Sequence, residues 1–240
     1  MGSNVIYTKN LTKKYGKKCA VNSISMEIKK GDIYGLIGRN GAGKTSFMRL
    51  LLGMTKVTDG SIELLGGTDL ENARLKTGSI IETPAFYENM SAYKNMMYRS
   101  KLLGMSKAHD KIDELLKLVE LYDVKNQKVD DYSLGMRQKL GIATALLNDP
   151  ELLILDEPIN GLDPVAIAEV RKILKKVNKE QGVTILISSH ILGEMQKLAT
   201  RYGFIVNGEL VSEISEEEIE AKNIDLESYS LKMMGVSEDE

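Results

Sequence analysis

Gly38-Arg39-Asn40-Gly41-Ala42-Gly43-Lys44-Thr45-Ser46 is the stretch on which the fold turns. Its first eight residues match G-x-x-x-x-G-K-[ST]. The apolar run 33–37 precedes it, and a helical pattern continues to Leu52, so the motif sits between a strand and a helix as its chemistry requires. Glycines let successive backbone N–H groups turn inward around phosphate oxygens, and the helix start adds the positive end of its dipole. Gly38, Asn40, Gly41, Gly43 and Ser46 are therefore expected to line a nucleotide phosphate cradle. Lys44 would meet the β- and γ-phosphates of ATP, and Thr45 offers a hard oxygen to Mg2+. The bland alternative is a glycine-rich turn that binds nothing; the lysine and hydroxyl in register argue against it.

Outward from this loop, the runs 33–37, 152–155 and 183–187 are almost continuously apolar and rich in β-branched residues. Strands covered on both faces have that composition, which predicts a parallel central sheet. Residues 5–8 and 21–28 instead alternate, the period of half-exposed antiparallel strands, which predicts an outer β layer. Cys19, the one cysteine, falls beside this layer and reads as a reduced, buried thiol. Residues 91–148 show helical segments, including Met136, Leu140, Ala143 and Leu147 at helical spacing. Asp163-Pro164 is a natural helix start, followed by Ile167, Val170, Leu174 and Val177.

Leu152-Leu153-Ile154-Leu155-Asp156-Glu157 is a buried strand that ends in two carboxylates. In a parallel sheet that end lies near the phosphate loop, at the edge where ligands collect. Asp156 suits Mg2+, and Glu157 suits polarising an attacking water. The alternative is that both carboxylates cap the following segment. His190, after Ser188-Ser189, ends another apolar run and reads as a γ-phosphate contact rather than a core histidine.

With these residues in place the chain resembles the ATP-binding cassette (ABC) ATPase family, because Tyr132-Ser133-Leu134-Gly135-Met136 adds that family's signature 23 residues before Asp156. The resemblance covers roughly residues 4–214. It implies the P-loop cassette fold: an α/β domain with a mainly parallel core sheet, an antiparallel β subdomain and a helical signature subdomain. The division expected is a catalytic core of residues 1–83 and 149–214, a helical subdomain 84–148, and an acidic extension 215–240. Residue by residue, it implies that Tyr15 stacks on adenine, Ser133 and Gly135 reach the γ-phosphate in trans, Asp163 belongs to the D-loop, and Glu82 holds the Q-loop position as a metal ligand. Leu134 and Met136 depart from the usual glycine and glutamine of the signature, and Glu82 is a carboxylate where most cassettes carry an amide. Ile80-Ile81-Glu82-Thr83-Pro84 with Ser133-Leu134-Gly135-Met136 is most similar to the exporters of bacitracin resistance and lantibiotic immunity.

The family implies a head-to-tail homodimer of cassettes that closes on ATP and drives separate transmembrane permease subunits. Phe86 and Tyr87 fall in a stretch rich in Met, Phe and Tyr and are candidate docking residues; Tyr93, Met97 and Leu103 read as local core. Composition fits this reading: 28% charged and 42% apolar residues over 240 exclude wholesale disorder. The net charge of −2 divides into −8 for residues 213–240 and +6 for the rest, which marks no nucleic-acid binder. The Lys pairs 13–14, 17–18 and 29–30 read as solvated loop charges. The polar start Met1-Gly2-Ser3-Asn4 lacks a secretory pattern, and no apolar run approaches the roughly 18 residues of a membrane span. The expected place is the cytoplasmic face of the membrane, held there by the permease. A soluble cassette ATPase of translation or DNA repair is the alternative, disfavoured by the single cassette and the lack of a long coiled coil. A nucleotide sensor without hydrolysis is disfavoured by Glu157 and His190.

Overall fold

The computed structural model describes residues 4–235. Met1-Gly2-Ser3 and the aperiodic Ser237-Glu238-Asp239-Glu240 lie outside the described residues. The alternating segments extend further than their sequence cores, as β1 (Asn4–Tyr15) and β2 (Lys18–Lys29), a hairpin turned at Gly16. β3 (Ile33–Ile37) leads through the glycine-rich loop into α1 (Lys44–Leu51). β4 (Asp59–Leu64) pairs antiparallel with β1 and completes the outer sheet, in the order β2-β1-β4.

After α2 (Leu70–Leu75) and β5 (Thr77–Ile80) the chain leaves the sheet for α3 (Ala92–Leu102), α4 (His109–Leu118) and α5 (Leu134–Ala145). It returns as β6 (Leu152–Leu155), α6 (Pro164–Gln181), β7 (Thr184–Ser189), α7 (Leu192–Gln196), β8 (Arg201–Val206) and β9 (Glu209–Ser215). The central sheet runs β5-β6-β7-β3-β8-β9, parallel except that β9 lies antiparallel to β8. Every residue of β3, β6 and β7 is buried, which is why those runs carry almost no polar residue until Ser188 and Ser189. The chain thus has the expected mixed-sheet cassette architecture, with a parallel core, an antiparallel layer and a block of helices.

Helix ends are fixed by local chemistry. Asp163 accepts from the backbone N–H groups of Val165 and Ala166, Pro164 opens the first turn of α6, and Gly182 ends it in the left-handed region. Such a cap contributes about 1 kcal/mol. The segment that reads as an acidic extension forms α8 (Glu216–Lys222) and α9 (Leu226–Met233). Ile219 and Leu226 are buried in the main core, and the Tyr229 ring meets Phe204 of β8 edge to face.

Two expectations fail. Cys19 is half-buried rather than buried, its Sγ near the Val21 carbonyl, because β2 lies at an edge of the outer sheet. Of the lysine pairs, Lys13, Lys14, Lys18 and Lys29 stand on strands, and Lys13 is buried and donates to the Lys56 carbonyl at 2.7 Å.

The helical block is set tightly on the sheet at β5. A Cβ at Gly78 would overlap the Ala145 carbonyl oxygen at the end of α5 and lie 2.7 Å from Leu153 Cδ2. The obstacle is backbone and does not rotate away. Gly78→Ala is expected to lower unfolding stability by about 1–3 kcal/mol, the usual cost of overpacking. Gly67→Ala, at a glycine with nothing within 4 Å, serves as the control. Urea unfolding midpoints of the two variants check this; equal midpoints would show that the helical block yields freely.

Candidate active site

Parallel strands deliver their carboxyl ends to one edge, and the chemistry-bearing residues collect there. The loop after β3 has Gly41 at φ +82° and Gly43 at φ +115°, conformations that side-chain-bearing residues rarely adopt. Gly43 also has no room for a side chain, since its Cβ would overlap the Ala20 carbonyl of β2. Gly43 is the N-cap of α1 and provides no side-chain cap, so the first backbone N–H groups of the helix point into the loop unpaired by side chains. Asn40, Gly41, Gly43, Lys44, Thr45 and Ser46 line a cleft of about 190 Å³ that Glu157 also borders. Gly38, expected among the lining residues, does not border this cleft; its carbonyl instead accepts from Lys44 Nζ at 2.6 Å.

Asp156 and Glu157 follow β6 into this edge. Asp156 is 2% exposed, and both of its oxygens are occupied. Thr45 Oγ1 donates to Oδ2 at 2.7 Å, and Ser188 Oγ donates to Oδ1 at 2.6 Å. The Ser188 hydroxyl oxygen in turn accepts from the Glu157 backbone N–H at 2.9 Å. Glu157 has φ +49°, a conformation that costs a residue with a side chain about 1–3 kcal/mol. That turn aims its carboxylate between the Lys44 ammonium and the His190 imidazole. Oε2 lies 2.8 Å from His190 Nδ1, and Oε1 lies 3.1 Å from Lys44 Nζ. The Lys44 contact is close but out of hydrogen-bond alignment, so Oε1 is a buried acceptor without a hydrogen-bond partner.

Other candidates lie apart from this cluster. Tyr15 stands half-exposed at the tip of the β1–β2 hairpin, opposite Lys18, which lines the phosphate cleft. Ser133 is the N-cap of α5 and accepts from the Met136 N–H at 3.2 Å, which leaves its hydroxyl hydrogen free to donate. Gly135 is pressed against α6, where its Cβ would lie 2.8 Å from that of Ala166. Leu134 lies over Gly161, its Cδ2 at 3.5 Å from where a Gly161 Cβ would stand. None of Ser133, Gly135 and Asp163 lines the phosphate cleft of its own chain. Glu82 follows β5 with φ +62° and is 64% exposed; its Oε1 lies 2.6 Å from Arg49 Nη2 on α1 and makes no hydrogen bond to Thr45 or Asp156.

Among the described residues no cluster of three His, Cys, Asp or Glu forms a metal cage. Mg2+ does not need one, since it binds through one or two protein oxygens and completes its shell with phosphates and water. Thr45 Oγ1 and Asp156 Oδ2, hard oxygens already 2.7 Å apart, fit that donor set.

Two residues in this network carry no motif signal. Ser188 ties β7 to the Asp156 carboxylate and to the Glu157 backbone N–H, and its one trace in the sequence is a hydroxyl at the end of a mostly apolar strand. Arg49 lies four residues after Thr45, one helical turn along the same face of α1, and only the fold brings it to Glu82.

A strand, a phosphate loop at a helix start and paired carboxylates on one sheet edge define a P-loop nucleoside-triphosphate hydrolase. Residues 21–160 match the family model described as ABC transporter. The chain is 48% identical over 223 residues to the bacitracin transport ATP-binding protein BcrA of Enterococcus faecalis, covering 91% of this chain and 72% of the relative. It is likewise 48% identical over 204 residues to the lantibiotic transport ATP-binding protein SrtF of Streptococcus pyogenes, covering 85% and 88%. Among solved structures, a dimeric ATP-binding cassette in a post-hydrolysis state with ADP and Pi superposes with a TM-score of 0.77 at 25% identity, over 88% of this chain and 98% of that one. The chain belongs to the ABC transporter family, as an ATP-binding subunit that hydrolyses ATP to energise transport. The alternative of a cassette ATPase in translation or DNA repair is not favoured by these relatives.

Because Ser188 supplies a hydrogen bond to a buried charge and holds the Glu157 backbone, Ser188→Ala removes about 1.5–3 kcal/mol of interaction at the site. ATP turnover is expected to fall about ten-fold or more, since each 1.4 kcal/mol is a factor of ten, with the Kd for ADP near the parental value. Steady-state phosphate release and fluorescence titration measure the two; unchanged turnover would make Ser188 a packing residue only.

Proposed function

We propose that this chain powers an exporter of antimicrobial peptides of the bacitracin or lantibiotic type, acting as a homodimer of cassettes with Mg·ATP at each of two shared sites. The observation that carries the dimer is the split of the site. Lys44, Thr45, Asp156, Glu157 and His190 converge on one edge, while Ser133 and Gly135 lie outside that cleft and need a second chain to use them. The names of the relatives support the peptide substrate.

In this reading Lys44 exchanges the Gly38 and Arg39 carbonyls and Glu157 for the β- and γ-phosphates. Thr45 and Asp156 would hold Mg2+, which supplies charge neutralisation on the phosphates when bound. Glu157, released from Lys44 and oriented by His190, polarises the attacking water through Oε1, and His190 contacts the γ-phosphate. Tyr15 stacks on the adenine, and Gly38, Asn40, Gly41, Gly43 and Ser46 cradle the phosphates. From the second chain, Ser133 and the N–H groups at the start of α5 reach the γ-phosphate, and Asp163 keeps the D-loop in shape through its cap. Glu82 joins the metal side of the site when Mg·ATP is bound.

Separate permease subunits would dock at a groove of about 380 Å³ between β5 and the helical block, lined by Met54, Leu75, Pro84, Phe86 and Leu103. Phe86 packs partly on the core, and Tyr87, 49% exposed, stacks edge to face on Tyr98 at the same end. Among the described residues no helix is long and apolar enough to cross a membrane, which suits peripheral attachment at the cytoplasmic face through such subunits.

Glu157→Gln keeps the shape of the side chain and removes the base. The variant is expected to bind ATP, lose nearly all turnover and double its mass in light scattering with ATP but not with ADP. Lys44→Ala in the same background should abolish that doubling. A mass that is the same with ATP, ADP and no nucleotide would overturn the shared-site reading. Capture of the tagged chain from membranes without a hydrophobic subunit would overturn the transport assignment.

A further inference from the structure

Glu82 is the one expected metal-side residue that the fold holds away from the others, and Arg49 is what holds it. α1 presents Thr45 and Arg49 on one face, four residues and about 6 Å of helix rise apart. The first ties to Asp156 at 2.7 Å and the second to Glu82 at 2.6 Å. A single helix face thus carries a hydroxyl tied to one carboxylate and, a turn later, a guanidinium tied to another.

The pair contributes little to stability. Arg49 is 38% and Glu82 64% exposed, and ion pairs at such exposure contribute little to folding. Its electrostatic effect on the cleft is another matter. In the proposed Mg·ATP site a bare carboxylate at the end of β5 would add negative charge on the side of the triphosphate, and like charges repel. Glu82 adopts φ +62° at the turn after β5, a conformation that residues with side chains rarely take.

We infer that Arg49 is the positioning residue and counter-charge of Glu82. In the nucleotide-free chain the guanidinium cancels the carboxylate and parks it one turn from the Thr45–Asp156 pair. When a divalent cation arrives with the phosphates, the cation takes over as the counter-charge and Glu82 is released toward it. The exposed pair is weak enough to be exchanged in this way. This inference rests on the proposal that Glu82 belongs to the Mg·ATP site.

The test is a binding experiment on the full chain, with ATP titrated by fluorescence first in EDTA and then across a Mg2+ series. Arg49→Ala is expected to weaken ATP binding in EDTA by about two- to five-fold, the size of an exposed charge effect. The tightening produced by Mg2+ should be larger than in the parent, because Glu82 no longer has to leave a partner. Glu82→Gln should tighten binding in EDTA and reduce the response to Mg2+. The double variant Arg49→Ala with Glu82→Gln should return the EDTA affinity to the parental value and lose the extra Mg2+ response. Thermal melting should be nearly unchanged in all three; if Arg49→Ala melts early, Arg49→Gln keeps the length of the side chain and gives the same readouts.

An enlarged Mg2+ response that persists in the double variant would show that Arg49 acts on the nucleotide and not through Glu82. If Glu82→Gln shifts binding and the Arg49 variants do not, Arg49 has no part in the site and the inference falls alone. If none of the variants moves either affinity, Glu82 lies outside the nucleotide site and the reading beneath the inference falls as well.

Discussion

A buried carboxylate that must be satisfied organises this molecule. Asp156 is almost fully enclosed, and an ion taken from water loses several kcal/mol that only charge-directed hydrogen bonds return. Thr45 and Ser188 provide them from α1 and β7, so the end of β6 is tied to both neighbouring elements at once. The register that pairs Leu155 with Ile187 sets Ser188 beside Asp156.

Beside it the second carboxylate, Glu157, is held differently. Asp156 is tied by hydroxyls, which are neutral and stay in place, whereas Glu157 faces an ammonium and an imidazole. The strained backbone of Glu157 costs stability to bring its side chain there. The two adjacent acids therefore divide along physical lines: one is buried and fixed, and the other is partly exposed, with one oxygen left without a hydrogen bond.

How much of this was legible in the sequence follows from what is local and what is not. β3, β6 and β7 declare themselves because strands buried on both faces exclude polar residues, and α6 because Asp163 and Pro164 are local start signals. The phosphate loop is readable because its glycines and lysine are contiguous. β5, Thr77-Gly78-Ser79-Ile80, carries no such run, and it is a strand because β6 lies alongside it. The two tail helices are masked by their own charge, since the acidic residues face outward and only Ile219, Leu226 and Ser230 are buried. The Arg49–Glu82 and Ser188–Asp156 contacts join residues 33 and 32 positions apart, across a strand order that places β7 between β6 and β3. No local pattern encodes that order.

The close approach of α5 to the sheet has a mechanical side. Besides the contact at Gly78, a Cβ at Gly141 would lie 2.7 Å from Pro84 Cγ, so the helix that begins at Ser133 rests directly on the turn that contains Glu82. Packed atoms at van der Waals distance transmit displacement without slack. A tilt of α5 driven at its Ser133 end therefore pushes Pro84 and its neighbour Phe86 in the same stroke. In the proposed dimer the helix would work as a rigid lever, with its load arm in the groove beside β5 and its effort arm at the Ser133 end.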